Sequence, residues 1–100
     1  MISKNYKKVA IIEVNKPIQN NGPRLHLIPL DISLNFNPKR VILIFDLDNV
    51  VYPENKNRSM LGRYGEGYIE SVSSKRINLW YKADNPNSGG TTLQRIIAIG

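Results

Sequence analysis

Residues 41–45 are the most restrictive stretch of the chain, with five apolar residues in a row, of which Val41, Ile42 and Ile44 are β-branched. The run is too short for a helix that packs on its own, and its composition favours a β-strand. An apolar run without polar alternation is typical of a strand covered on both faces. The sequence therefore predicts a central strand over residues 40–47, with the rest of the chain packed around it.

The remainder of the chain consists of short strand patterns separated by turn residues. No helix-length segment repeats its apolar residues with a period of 3.6, and several short strands are typical of an antiparallel sandwich or barrel. We predict an all-β fold, an antiparallel β-sandwich of seven to eight strands, in a single domain over residues 1–100. The predicted strands are residues 9–14, 25–28, 32–36, 40–47, 68–72, 77–81 and 93–99, with a turn at 15–23 and a long loop at 53–67.

The residue counts exclude several kinds of site. There is no cysteine and one histidine, His26, so neither a thiolate nor a multi-histidine metal site can form within one chain. No apolar run approaches the roughly 18 residues that span a bilayer, and the N-terminal lysines precede no apolar signal-peptide core. We therefore expect a protein without an export signal. The net charge of +6 permits contact with nucleic acid, anionic lipid or envelope polymers.

Residues 45–50 (Phe-Asp-Leu-Asp-Asn-Val) follow the apolar strand and contain the sharpest motif. They resemble the first motif of haloacid-dehalogenase-type phosphatases, in which Asp46 would be the nucleophile, Asp48 the general acid/base, and Mg²⁺ would bind between them. The helix expected after that motif is replaced by residues 50–53 (Val-Val-Tyr-Pro) and a glycine-containing loop, and Asp84 is the only later aspartate. We therefore predict that the protein is not an enzyme and carries no catalytic residue or cofactor.

An oxygen-only Ca²⁺ site is a second interpretation of the same acids. Asp46, Asp48, Asn49 and Glu54 lie within nine residues of one another and supply hard oxygen ligands. Such a site needs carboxylates from two or more loops, and only two other aspartates remain to help. We predict loop acids in solvent and no bound metal, with Asp46 and Asp48 as weak candidates.

Basic and aromatic residues interleave between residues 63 and 82. A barrel that binds single-stranded nucleic acid would use such rings for stacking in a basic groove. However, aromatic residues that alternate along strands are more commonly packed in a core or an interface. We therefore predict an interface between subunits, formed by the 53–67 loop and the aromatic strands that follow it. Its predicted residues are Arg63, Tyr64, Tyr68, Trp80 and Tyr81.

Two longer segments resemble bacteriophage proteins. Residues 34–42 (Leu-Asn-Phe-Asn-Pro-Lys-Arg-Val-Ile) and 89–100 (Gly-Gly-Thr-Thr-Leu-Gln-Arg-Ile-Ile-Ala-Ile-Gly) are similar to segments of phage tail-tip and fibre modules. Among small proteins, the chain most resembles the prophage-encoded YomS-like and XepA-like group of tail-tip or lysis-associated modules. That resemblance implies a C2-like or jelly-roll-like β-sandwich in a homo-oligomeric, pentameric ring, with no catalytic residues. It also implies synthesis in the bacterial cytoplasm, followed by association with the virion or release at host lysis.

These observations predict a non-catalytic phage structural or interaction module whose first partner is a second copy of itself. A ring needs a heterologous contact between neighbours, and its closure would cover apolar surface and strand edges. Other phage proteins, anionic envelope polymers and lipid are further predicted partners, and nucleic acid is not expected. One alternative is a membrane- or nucleic-acid-binding β module that uses its basic surface. A third hypothesis is a Mg²⁺-dependent phosphatase acting through Asp46 and Asp48.

Overall fold

The structure is a computed structural model, and it describes residues 8–18, 22–46, 48–54, 59–60, 65–83 and 91–100. Within these ranges the chain forms eight β-strands and no helix. The strands are β1 (Val9–Ile18), β2 (His26–Asp31), β3 (Arg40–Ile44), β4 (Asn49–Tyr52), β5 (Ser59–Met60), β6 (Gly65–Val72), β7 (Arg76–Ala83) and β8 (Thr91–Ile99).

The strands form two four-stranded sheets. The first sheet has the order β1-β8-β3-β4 and the second has the order β2-β7-β6-β5, with every pairing antiparallel. The predicted all-β class, an antiparallel β-sandwich of seven to eight strands, is therefore confirmed. The predicted strand over residues 40–47 is shorter in the structure, where β3 ends at Ile44 and the chain bends at Asp46. Its predicted central position is confirmed, because β3 pairs with β8 on one side and β4 on the other.

The core lies between the inner faces of the two sheets. Alternate residues of β3 and β7 point inward, so that Val41, Leu43, Ile77 and Leu79 are completely buried. The other buried apolar residues of the described chain are Ile18, Leu30, Phe45, Val50, Ile69, Tyr81, Ala83, Leu93, Ile96 and Ala98.

The outer face of β3 departs from the expectation of a strand covered on both sides. Ile42 and Ile44 are half-buried, whereas Val41 and Leu43 on the inner face are fully buried. The described residues place one layer of sheet over β3 and leave its other face partly open. Apolar residues on that open face are therefore not explained by the core of a single chain.

At two prolines the observed strands extend beyond the predicted ones. β1 continues through Pro17 to Ile18, past the predicted start of a turn at residue 15. It does so with a register shift between Glu13 and Lys16, where Asn15 has φ 50°. β2 likewise continues through Pro29 to Asp31. Both strands are sheet edges, where the proline's missing N–H is tolerated.

The predicted strand over residues 32–36 is wrong, although its predicted burial pattern is right. Ile32 and Leu34 are half-buried between exposed neighbours, as an alternating strand would be. Their amides donate to the carbonyls of Lys75 (2.9 Å) and Ser74 (2.9 Å) in the turn between β6 and β7. Two such bonds fix an extended segment without forming a ladder. The predicted 53–67 loop is also too long, because it contains β5 and β6 begins at Gly65.

Candidate functional site

Asp46 lies in the turn between β3 and β4, and its carboxylate is directed at the start of β8. The turn is closed by the amide of Phe45, which donates to the carbonyl of Asp48 (3.1 Å). Asp46 Oδ2 accepts from Thr91 Oγ1 (3.4 Å) and the Thr92 amide (3.1 Å), and Oδ1 accepts from Gln94 Nε2 (3.0 Å). The carboxylate therefore links the turn between β3 and β4 to β8. Both of its oxygens accept hydrogen bonds within the fold.

Asp48 makes a bond of shorter range. Its Oδ1 accepts from the amide of the next residue, Asn49, at 2.8 Å. Glu54, another proposed Ca²⁺ ligand, instead pairs with Arg40 at 2.7 Å. In the described part of the chain no three histidines or acids are grouped so as to hold a metal ion. The geometry therefore gives each of these acids a role in a turn or an ion pair.

We expect Asp46→Ala to lower the free energy of unfolding by about 1–2 kcal/mol, because three donors lose a charged acceptor at a partly solvated position. Asp46→Asn should cost less, since its amide oxygen still accepts. Urea denaturation measures both changes. Asp48→Ala is the matched control and should cost under about 1 kcal/mol, because its carboxylate makes only the local bond to the next residue. Equal losses at the two positions would contradict the assigned role of Asp46.

The predicted interface residues fall into three groups. Arg63 and Tyr64 lie outside the described residues. Tyr68 and Trp80 are half-buried, directly opposite each other on β6 and β7, and on the outer face of the second sheet. Tyr81 is 1% exposed and belongs to the core, because it follows Trp80 on the strand and so points to the opposite face. Tyr81 is therefore a core residue and offers no surface to a partner. Its burial raises the pKa of its hydroxyl.

Tyr68 and Trp80 belong to a longer apolar row. Leu27 of β2 lies opposite Trp80 and is 44% exposed, so Leu27, Trp80 and Tyr68 cross three strands in register. We call these three residues the aromatic row. Leu27 could not be predicted from the sequence, since nothing in residues 25–28 indicates that it stands beside a tryptophan about fifty positions away.

The first sheet carries a second apolar row on its own outer face. Ile11 of β1 lies opposite Ile97 of β8, Ile97 opposite Ile42 of β3, and Ile42 opposite Val51 of β4. We call these four residues the aliphatic row. Ile11 is 63% exposed, and Val9, one position along the same face, is 57% exposed. The row crosses every strand of the sheet. It could not be predicted from the sequence, because its members come from four separate segments.

Ion pairs flank the aliphatic row on both sides. Arg95 Nε donates to Glu13 Oε1 at 2.6 Å. These two residues form the cross-strand pair two residues along from Ile11 and Ile97, on the same face. On the other side, Arg40 pairs with Glu54 at 2.7 Å. Each of these four charged side chains thus has a partner of opposite sign.

The aromatic row has a similar border. Lys82 pairs with Glu66 at 3.1 Å on one side, and Arg76 pairs with Asp31 at 2.9 Å farther along the sheet. Glu70 is the remaining charged residue that this face exposes in its described part. In the described part of the chain the two outer faces together carry four basic and five acidic residues. The described charged residues off these faces are five basic and two acidic ones: Lys8, Lys16, Arg24, Lys39, Lys75, Asp46 and Asp48. Among the described residues, the excess of positive charge therefore lies away from the two faces.

A groove of about 580 Å³ opens between the sheets, where β1 and the segment after β2 diverge. Its apolar floor includes Leu30, Leu93 and Ile96, and its rim carries Glu13 and Asp31. Both rim acids are held in the ion pairs with arginine described above. The groove thus offers aliphatic surface, and the residues that line it include no histidine or cysteine that could act as a nucleophile or base.

Comparison with protein-family models, with curated proteins and with solved structures finds no match to this chain. Among the described residues, no helix has the length and apolar content needed to cross a membrane. The geometry of the two rows is therefore the main observation on which a function can be argued.

Proposed function

We propose that the protein is a non-catalytic structural or interaction module that assembles into a homo-oligomeric ring. The aliphatic row carries this proposal. The four side chains of the aliphatic row are in register on the outer face and lie outside the core of one chain. Ile11 of the row and its neighbour Val9 are more than half exposed. Contiguous exposed apolar surface on a water-soluble domain is typical of a contact surface. A second copy of the chain is always present at the same concentration, and we therefore propose it as the partner.

The resemblance to phage modules supports the biological setting of this proposal. Of the two similar segments, 34–42 leads into β3 and 89–100 contains β8. These two strands pair with each other, from Arg40 opposite Ile99 to Ile44 opposite Arg95. The similarity thus falls on one structural unit, the centre of the first sheet. On this basis we propose a prophage-encoded C2-like or jelly-roll-like module that acts in virion architecture or in host-envelope disruption at lysis.

Native mass spectrometry tests the assembly. The expected result is one discrete multimer, with a pentamer of 11.4 kDa chains at about 57 kDa. Sedimentation equilibrium at high micromolar concentration should give the same mass. A monomer of 11.4 kDa under both conditions would refute the ring. A second readout is catalysis: Mg²⁺-dependent hydrolysis of p-nitrophenyl phosphate that disappears in Asp46→Asn would overturn the non-catalytic assignment.

The charge distribution favours a second candidate function, binding to a polyanion. Among the described residues off the two faces, basic residues outnumber acidic ones by three, and a basic surface attracts nucleic acid or anionic lipid. Binding to single-stranded DNA or to phosphatidylglycerol vesicles should then weaken steeply with added salt. Such binding by a protein that remains monomeric would favour this candidate over the ring.

A further inference from the structure

We infer that neighbouring copies meet through unlike faces, with the aliphatic row of one copy packed on the aromatic row of the next. This inference rests on the proposed ring and adds to it the two surfaces that touch. Its starting point is that both outer faces of the sandwich carry an apolar row, one across β1, β8, β3 and β4 and one across β2, β7 and β6.

The positions of the rows determine the kind of assembly they can build. The two sheets are the two layers of one sandwich, so their outer faces point in opposite directions. A contact between unlike faces is heterologous, and its repetition gives a closed ring if the rotation between copies closes and an open filament if it does not. The ring therefore requires each copy to be tilted relative to the last. A contact between like faces would give a two-fold dimer and leave the other row exposed to solvent. With a single kind of contact between copies, only the unlike pairing covers both rows in every copy.

The two rows are complementary in size and chemistry. Strands lie roughly 4.8 Å apart, so the aliphatic row extends roughly 14 Å from the first of its four strands to the last, and the aromatic row roughly 10 Å across its three. The shorter row fits along the longer one. Tryptophan and tyrosine are enriched among the residues that dominate interface energies, and they gain most when packed on apolar partners.

The charges on the two faces favour contact between copies of this cationic chain. The ion pairs Glu13–Arg95 and Arg40–Glu54 neutralise the described part of the first face, and the described part of the second face, with Glu70 in excess, has a net charge of −1. Among the described residues, docking therefore buries no uncompensated positive charge, which would be costly. Repulsion between the remaining positive charges is screened beyond about 8 Å at physiological salt.

Two lysine substitutions test the pairing of unlike faces. Ile11→Lys alters the aliphatic row and Leu27→Lys the aromatic row, each at the row's most exposed member, where a charged side chain disturbs the core least. Each variant alone should be monomeric by native mass spectrometry, because every contact in the ring needs both faces. An equimolar mixture should give a heterodimer of about 22.8 kDa, twice the 11.4 kDa chain, because each variant retains the face that the other has lost.

The controls separate this inference from the proposed ring. Asn37→Lys adds the same charge at an exposed position off both faces and should keep the wild-type mass. Val9→Lys repeats the test of the first face if Ile11→Lys fails to fold. A monomeric wild-type protein would refute the ring and this inference with it. If the wild type is multimeric but the two variants give no heterodimer on mixing, the pairing of unlike faces is refuted and the ring stands. The same conclusion follows if only one of the two substitutions disrupts the multimer.

Discussion

Leu43→Ala is expected to lower the free energy of unfolding by about 2–5 kcal/mol, the range for truncating a large side chain in a packed core. Leu43 is 0% exposed in the middle of β3, between two neighbouring strands and under the opposite sheet. Its removal leaves a cavity that surrounding strands can fill only in part. For a domain of this size the whole stability is about 5–15 kcal/mol, so urea denaturation should show a large fall in the midpoint.

Ile44→Ala is the matched control for this substitution. It removes the same number of carbon atoms from the adjacent position of the same strand, but Ile44 is half-buried on the outer face, opposite Arg95 and Asn49. The expected loss is about 1 kcal/mol, because less apolar surface returns to water. Equal losses at the two positions would contradict the assignment of the inner face to residues 41, 43 and 45.

The fold class follows from patterns that one segment contains by itself. In β1 the alternation of residues 9–14 predicts Val9 and Ile11 on one face and Ala10, Ile12 and Val14 on the other, and the first two are exposed while the last three are half-buried. Residues 32–36 show the limit of such patterns. Alternation reports which side of an extended chain is buried, and only a partner strand makes that chain part of a sheet.

The two apolar rows could not be predicted in this way. Each row depends on the register between strands, which sets which residues stand side by side. Ile11 and Ile97 come from opposite ends of the chain, and neither is unusual in its own segment. Tyr81 was predicted in the interface because it is aromatic. Its position next to Trp80 on the strand instead places it in the core. Residue type alone did not predict the face of the strand on which the side chain lies.

The motif at Asp46 also shows why a short pattern is insufficient. A carboxylate after an apolar strand is compatible with a nucleophile, with a metal ligand and with a structural acceptor. The three roles differ in what the side chain meets, and here Asp46 meets Thr91, Thr92 and Gln94. Those residues lie about forty-five positions away in the sequence, so the donors could not be identified before the fold was known.

Gly65→Ala is the second substitution with a large expected effect, a loss of about 1–3 kcal/mol from overpacking. Gly65 begins β6, and a Cβ added there would lie 2.5 Å from Tyr81 Oη, 2.8 Å from Cε1 and 2.9 Å from Cζ. The Tyr81 ring is buried and cannot swing into solvent without opening the core. At an unobstructed strand position the same change would instead stabilise by about 0.5–1 kcal/mol, because alanine restricts the unfolded chain more than glycine does.

The sign of the effect at Gly65 should therefore depend on the residue at position 81. In a Tyr81→Leu background the three ring atoms nearest the added methyl group are gone, and Gly65→Ala should become neutral or stabilising. The double-mutant cycle, measured by urea denaturation, should give a coupling of about 1–3 kcal/mol, the size found for residues in direct contact. Additive effects would mean that the ring does not occupy the space that glycine leaves, and that the packing of β6 on β7 is set by other contacts.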